Sequence, residues 1–123
     1  MNYVYSQSTG ELKLDDGTLV GSGWAGRGKG KNNPDKDDIV RTGPLPRGWY
    51  TIGKLEDHPR LGRFVMELTP DLENEMHGRD DFWIHGASLN PLKYGQESMG
   101  CIIMPRPVRL KIAEGPDRLQ VVR

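Results

Sequence analysis

A mainly β fold with one short helix and long shaped loops is what the sequence predicts, on three observations. Apolar residues fall in short runs such as Tyr3-Val4-Tyr5, Phe64-Val65-Met66 and Phe82-Trp83-Ile84, each bounded by turn residues. Sixteen glycines and nine prolines in 123 residues leave little room for long regular elements. Only Pro107 to Ala113 carries a helical pattern, with Val108, Leu110 and Ile112 apolar, Pro107 suited to a first turn and Gly115-Pro116 as the stop. In chain order, Tyr3 to Tyr5 and Leu12 to Leu14 read as a β-hairpin around Ser8-Thr9-Gly10, closed by Asp15-Asp16-Gly17. Thr18-Leu19-Val20 starts an extended segment towards Trp24, and Gly26 to Asp38, almost without apolar residues, reads as a loop. Gly43-Pro44-Leu45-Pro46-Arg47-Gly48 is a rigid double turn before a strand over Trp49 to Ile52. Phe64 to Leu68 and Phe82 to His85 are the next strands, and Leu119 to Val122 closes the fold.

A chain of 13.8 kDa has the size of one domain, here 1–123, since two cores would each be too small to hold. Seventeen Lys and Arg balance seventeen Asp and Glu, so no overall field draws the protein to nucleic acid or an anionic membrane. The longest apolar stretch, Cys101-Ile102-Ile103-Met104, is far below the ~20 residues of a membrane span. Met1 to Gln7 has neither the basic nor the apolar region of a signal peptide. With one cysteine, no internal disulfide forms and no Cys-rich zinc site is built.

Gly21-Ser22-Gly23-Trp24-Ala25-Gly26 spells G-x-G-x-x-G, yet a dinucleotide site needs a helix after it, and Arg27-Gly28-Lys29-Gly30-Lys31-Asn32-Asn33-Pro34 cannot be a helix body. The cations Arg27, Lys29 and Lys31 read as a solvated loop, because Asp35, Asp37 and Asp38 follow them; the loop's Gly and Asn residues still suit a groove wall. His58 and His77 lack a ligand partner at i+2 or i+4, so no metal is expected and both read as surface residues.

His85 and Cys101 remain. His85 alternates with Trp83 onto one face of its strand, and Gly86 ends the strand with the imidazole near the rim. Gly100 before Cys101 permits a tight turn that gathers backbone N–H groups at one point, the geometry of an oxyanion hole. A neighbouring histidine can take the proton of a thiol and leave a thiolate nucleophile. Free cysteine is also among the most buried residue types, and Ile102 and Ile103 flank this one. On spacing alone the inert core thiol is the stronger of the two readings.

At these residues the sequence resembles the L,D-transpeptidase catalytic domain, with His85-Gly86, a spacer, then Ser98-Met99-Gly100-Cys101. The compact, signal-less branch of type VI secretion effectors with an L,D-transpeptidase-like fold is the closer resemblance. Its hairpin (Tyr3 to Leu12), Gly-rich loop (Gly26 to Pro34), Gly-Pro turn (Gly43 to Tyr50), Gly78-Arg79, Phe82 to Gly86 and Ser98 to Ile102 are all present. The resemblance reverses the balance at Cys101 and implies an L,D-transpeptidase-like β-sandwich or barrel with its helix after the catalytic cysteine. It implies Cys101 as nucleophile, His85 as base, the Gly86 carbonyl as orienter of the ring, Ser98 as a brace, and the Gly100 and Cys101 amides as oxyanion donors. Arg79 and Arg109 are expected to hold substrate carboxylates, with Asn32, Asn33, Tyr50 and Met99 as further substrate contacts. Met99 stands where larger relatives carry a second histidine, and Ile103 where they often carry Arg or Asn.

The expected activity is removal of the terminal D-Ala from peptidoglycan stem tetrapeptides, its exchange for another D-amino acid, or both, without a cofactor. The expected partners are the stem peptide, a cognate immunity protein and a type VI secretion component. No nucleic acid and no membrane are expected. The expected route is synthesis in the cytoplasm without a signal peptide and action in the periplasm of a target bacterium. The competing classes are a non-catalytic module gripping glycan or nucleic acid, with Cys101 buried, and a Cys-His amidase acting on another peptide bond.

Overall fold

The computed structural model describes residues 1–88 and 97–123. Ten strands occur among the described residues: β1 (Tyr3–Ser6), β2 (Glu11–Leu14), β3 (Leu19–Ser22), β4 (Trp24–Ala25), β5 (Gly48–Ile52), β6 (Glu56–His58), β7 (Gly62–Pro70), β8 (Phe82–His85), β9 (Ile102–Ile103) and β10 (Arg118–Val122). One helix, α1 (Arg106–Glu114), follows β9. The strand order is β3-β2-β1-β10-β5-β7-β8-β9-β4, with β6 paired to β7 beside this path. Most pairs are antiparallel; β1 with β10 and β8 with β9 are parallel.

The register carries one apolar band around the sheet. Tyr3 and Tyr5 lie opposite Leu119 and Val121, Leu119 opposite Tyr50, Ile52 opposite Leu68, Leu68 opposite Phe82, Met66 opposite Ile84, and Ile84 opposite Ile102. All are buried in one cluster. Each such side chain contributes roughly 1.5–3 kcal/mol relative to leaving it exposed, so this band, period two on every strand, holds the fold.

The two end strands of the sheet, β3 and β4, are separated in sequence by Gly23 alone. The sheet therefore curls until its edges meet, and the near-closed barrel leaves little edge unpaired. Gly23 is required there: a Cβ would lie 1.7 Å from the Ile103 carbonyl oxygen. Helix α1 begins at an uncapped Pro105, buries Ile112, and packs across β7 and β3. None of the helices among the described residues is long and apolar enough to cross a membrane.

The predicted elements appear close to their expected bounds, and β6, β9 and the ends of β7 are additions. β7 extends through Gly62 and Pro70, and β6, Glu-Asp-His, pairs with its start. That polar triplet has no alternation to betray a strand. The Gly26–Pro34 loop folds into tight 3-10 turns at Gly28–Gly30 and Pro34–Lys36.

Candidate active site

β8 and β9 bring the two expected chemical groups onto one face. Phe82 and Ile84 point into the core, so Trp83 and His85 point the other way. Ile84 lies opposite Ile102 and His85 opposite Ile103 in the parallel pair. Continuing that register back one residue sets Cys101 beside Trp83, on the same face as His85. Strands ~4.8 Å apart and a two-residue step of ~6.6 Å put the Cys101 and His85 backbones about 8 Å apart. The Trp83 N–H donates to Cys101 Sγ at 3.3 Å.

His85 Nδ1 is 3.0 Å from the Gly86 carbonyl oxygen. A carbonyl only accepts, so Nδ1 carries the proton and Nε2 keeps its lone pair. Burial, seconded by the charge of Arg109, lowers the His85 pKa below its ordinary value, against the opposing pull of the Gly86 carbonyl and Glu97. Burial pushes the Cys101 thiol up to about 11, against the Trp83 N–H bond. Cys101 packs with Val65 and Trp83 in a small apolar cluster behind Leu61. At neutral pH the thiol, whose Sγ donates to the Asp81 carbonyl at 3.8 Å, and the imidazole are thus both neutral.

Ser98 ties the cysteine turn together. It is fully buried; its Oγ accepts from Gly26 N–H at 2.9 Å and Gly100 N–H at 3.1 Å and donates to the Cys101 carbonyl. Gly100 has φ +131°, which an L side chain rarely adopts. The Gly100 amide expected in an oxyanion hole is therefore engaged by Ser98 in this state.

The expected substrate contacts divide sharply. Arg79 is buried, and its guanidinium donates to four carbonyls, those of Asp37 and Pro44 at 2.7 Å and Gly43 and Met99 at 3.0 Å. Arg109 is buried as well, donating to the carbonyls of Met104 at 3.0 Å, Arg63 at 2.8 Å and Phe64 at 3.0 Å. Both arginines brace backbone, and each also lines a cavity, Arg79 the one that reaches Cys101 and Arg109 one bounded by Gly86. Tyr50 is a core residue whose hydroxyl donates to the Pro46 carbonyl at 2.7 Å. Asn32 and Asn33 spend their side chains inside their own loop, Asn32 Oδ1 accepting from Ala25 N–H and Asn33 Oδ1 from Asp35 N–H. The Tyr50 hydroxyl and both polar atoms of the Asn33 side chain are thus engaged within the fold. Met99 differs: it is half exposed and lines both a cavity of about 250 Å³ that reaches Cys101 and one of about 590 Å³ that reaches His85. It stands between the thiol and the imidazole.

His58 is a residue whose place the sequence does not disclose. Its ring meets Trp83 edge-on at 4.9 Å, and its Nδ1 accepts from the Arg60 and Leu61 N–H groups. It shapes the outer wall of the cysteine cluster from β6, where no pattern marked it. His77 pairs with Glu75 at 3.6 Å, away from this face.

The sequence profile of the Tlde1 domain matches residues 20–120, which include His85 and Cys101. The chain belongs to this family of type VI secretion effectors. Among solved structures it is similar to L,D-transpeptidase 3 of Mycobacterium tuberculosis, determined with a faropenem-derived adduct, at TM-score 0.57 and 17% identity over 99% of this chain and 60% of that one. It is likewise similar to an L,D-transpeptidase of Mycobacterium tuberculosis H37Rv, at TM-score 0.53 and 17% identity over 99% of this chain and 57% of that one. The chain thus spans less than two thirds of the length of those enzymes. A comparison with curated protein sequences finds no match. The Tlde1 chain therefore has an L,D-transpeptidase-like fold, mainly β with its helix after Cys101, as its sequence predicts.

Proposed function

We propose that this effector is a cysteine acyl-enzyme acting on peptidoglycan stem tetrapeptides. The observation that supports the proposal is the placement of Cys101, which directly precedes β9, on the same face as His85 of β8, with the His85 tautomer set by Gly86. In the proposed reaction, the thiol proton passes to His85 Nε2 as Sγ attacks the carbonyl of the residue before the terminal D-Ala. The tetrahedral intermediate collapses, the C–N bond breaks, and the leaving amine takes the proton from Nε2. Water, activated by the same nitrogen, or a D-amino acid amine then opens the thioester and returns the proton to sulfur. The first acceptor makes the protein an L,D-carboxypeptidase, the second an L,D-transpeptidase. The effector family supports a target in another bacterium, and the periplasm is where this substrate lies. A cognate immunity protein follows from the same reading.

Purified muropeptides incubated with the protein and resolved by mass spectrometry test it. Tetrapeptides should lose D-Ala, or exchange it when another D-amino acid is supplied, and Cys101→Ala should leave them intact at unchanged melting temperature. Tetrapeptides untouched by the wild-type protein, or cut equally by Cys101→Ala, would overturn the proposal. Cleavage at another peptide bond would favour the amidase instead.

A further inference from the structure

Beyond the imidazole lies a cavity of about 440 Å³ whose wall carries Arg60, Arg63, Arg106 and Arg109 and, among the described residues, no carboxylate. In a chain of zero net charge this is a local concentration of cations. Among the described residues, the Arg60 guanidinium forms its ion pair with Asp81, at 3.6 Å and in solvent. Arg106 lies over the Phe64 ring, its Cζ 5.0 Å from the centroid. Arg109 spends Nε and Nη1 on backbone, while Nη2 has no acceptor among the described residues. That nitrogen lies directly beneath Gly86, where a Cβ would come within 2.6 Å of it. Arg106 and Arg109 also fill the first turn of α1, which has no acidic residue. A helix N-terminus favours negative groups there, so the arrangement is one that an anion would relieve.

The position of the cavity says which anion. Met99 lines both the thiol and the imidazole cavities. Arg60, Leu61, Gly86, Ala87 and Ser88 line both the imidazole and the arginine cavities. The order along the surface is thus thiol, Met99, imidazole, arginines. A peptide acylating Cys101 leaves its departing amine at His85, and the carboxylate of the departing residue sits two bonds further on.

Resting on the reaction proposed above, we infer that the arginine cavity is a subsite for the C-terminal carboxylate of the leaving D-amino acid. A guanidinium fork matches a carboxylate bidentately, and such a site restricts cleavage to a free chain end. Arg63 and Arg106, both exposed, are the contacts, with Arg109 behind them.

Calorimetric titration of the Cys101→Ala protein with three stem tetrapeptides tests the inference. One peptide ends in a free carboxylate, one in a C-terminal carboxamide, and one is amidated only on the side-chain carboxylate of its third residue. The C-terminal carboxamide should bind at least tenfold more weakly than the free acid, and the side-chain amide should bind like the free acid. Adding Arg106→Gln or Arg63→Gln, with melting temperature checked, should shrink the tenfold preference. Equal affinity for acid and C-terminal carboxamide, a loss confined to the side-chain amide, binding of none, or a preference kept in both arginine variants would each overturn the subsite. The two proposals separate cleanly. Wild-type protein releasing D-Ala and D-alaninamide equally well keeps the reaction and overturns the subsite. Peptides discriminated as expected but never cleaved keep the subsite and overturn the reaction.

Discussion

Cys101, just before β9, and His85, at the end of β8, share one face, yet the cavity at the thiol carries arginines together with the carboxylates of Asp80 and Asp81, while the cavity beyond the imidazole carries arginines and, among the described residues, no carboxylate. Each side has its own buried arginine. Arg79 ties the cysteine turn to the Gly43–Pro44 segment through the Met99 carbonyl, and Arg109 lies under Gly86 and ties α1 to the start of β7. The same residue type does the same bracing, but Arg79 spends both terminal nitrogens on carbonyls, whereas Arg109 keeps Nη2 without an acceptor among the described residues. On both sides burial favours the neutral form, which raises the thiol and lowers the imidazole. With burial pushing the thiol up to about 11 and the imidazole below its ordinary value, the neutral pair is the resting form. Proton transfer is therefore coupled to attack on substrate in this account rather than completed before it.

The largest expected effect is on the thiol side. Arg79→Met leaves four carbonyls without their donor, and at ~1–3 kcal/mol per unsatisfied buried group the loss is on the order of 5 kcal/mol. Thermal unfolding should show a collapse in melting temperature that Arg79→Lys does not rescue, because one ammonium cannot reach all four oxygens. A variant that melts like the wild type would remove Arg79 from its role as brace. On the imidazole side, His85→Gln should leave the melting temperature nearly unchanged and lower kcat/KM on tetrapeptide by roughly a thousandfold. Its pH–rate profile should lose the acidic limb, which in the wild type lies below pH 6.5 because the His85 pKa is depressed. An unchanged limb would assign the base elsewhere.

A smaller effect isolates the burial of the thiol. The folded-state pKa of Cys101 lies above its ordinary 9.0, so the stability gained by keeping it neutral is full below pH 9 and drains away as pH rises towards about 11. Denaturant titrations should show the wild type losing on the order of 2–3 kcal/mol more than Cys101→Ala across that window. Tyr5 and Tyr50, also raised by burial, drain both proteins alike and cancel in the difference. Parallel curves would place the thiol in solvent. The smallest effect belongs to neither side. Arg118 holds Asp71 with a two-pronged pair at 2.8 and 2.6 Å, and Asp71→Asn should move the melting temperature only slightly, with activity unchanged.

The contrast between the two sides also marks what the sequence discloses. β8 was legible because Phe82-Trp83-Ile84-His85 alternates and Gly86 ends it, and that alternation alone put His85 on the outward face. α1 was legible from Pro107 and Gly115-Pro116. β6 was not, because Glu-Asp-His has no apolar period and is a strand only through its pairing with β7. The bracing role of Arg79 and Arg109 is hidden in the sequence for a physical reason. A guanidinium that braces backbone and one that grips substrate look identical as letters; the difference is how many carbonyls the fold brings within reach, a long-range property. Arg79 acquires acceptors more than thirty residues away in sequence, which no local pattern reports. The arginine cavity was hidden likewise, since Arg60, Arg63 and Arg106 converge only once β7 and α1 pack.

The claim that Cys101 and His85 act as one unit is tested most directly by a double-variant cycle on tetrapeptide turnover. If the imidazole works only through the thiol, Cys101→Ala with His85→Gln should be no slower than Cys101→Ala alone. Losses that multiply across the two substitutions, with all three proteins folded, would show two groups acting independently and would contradict the account.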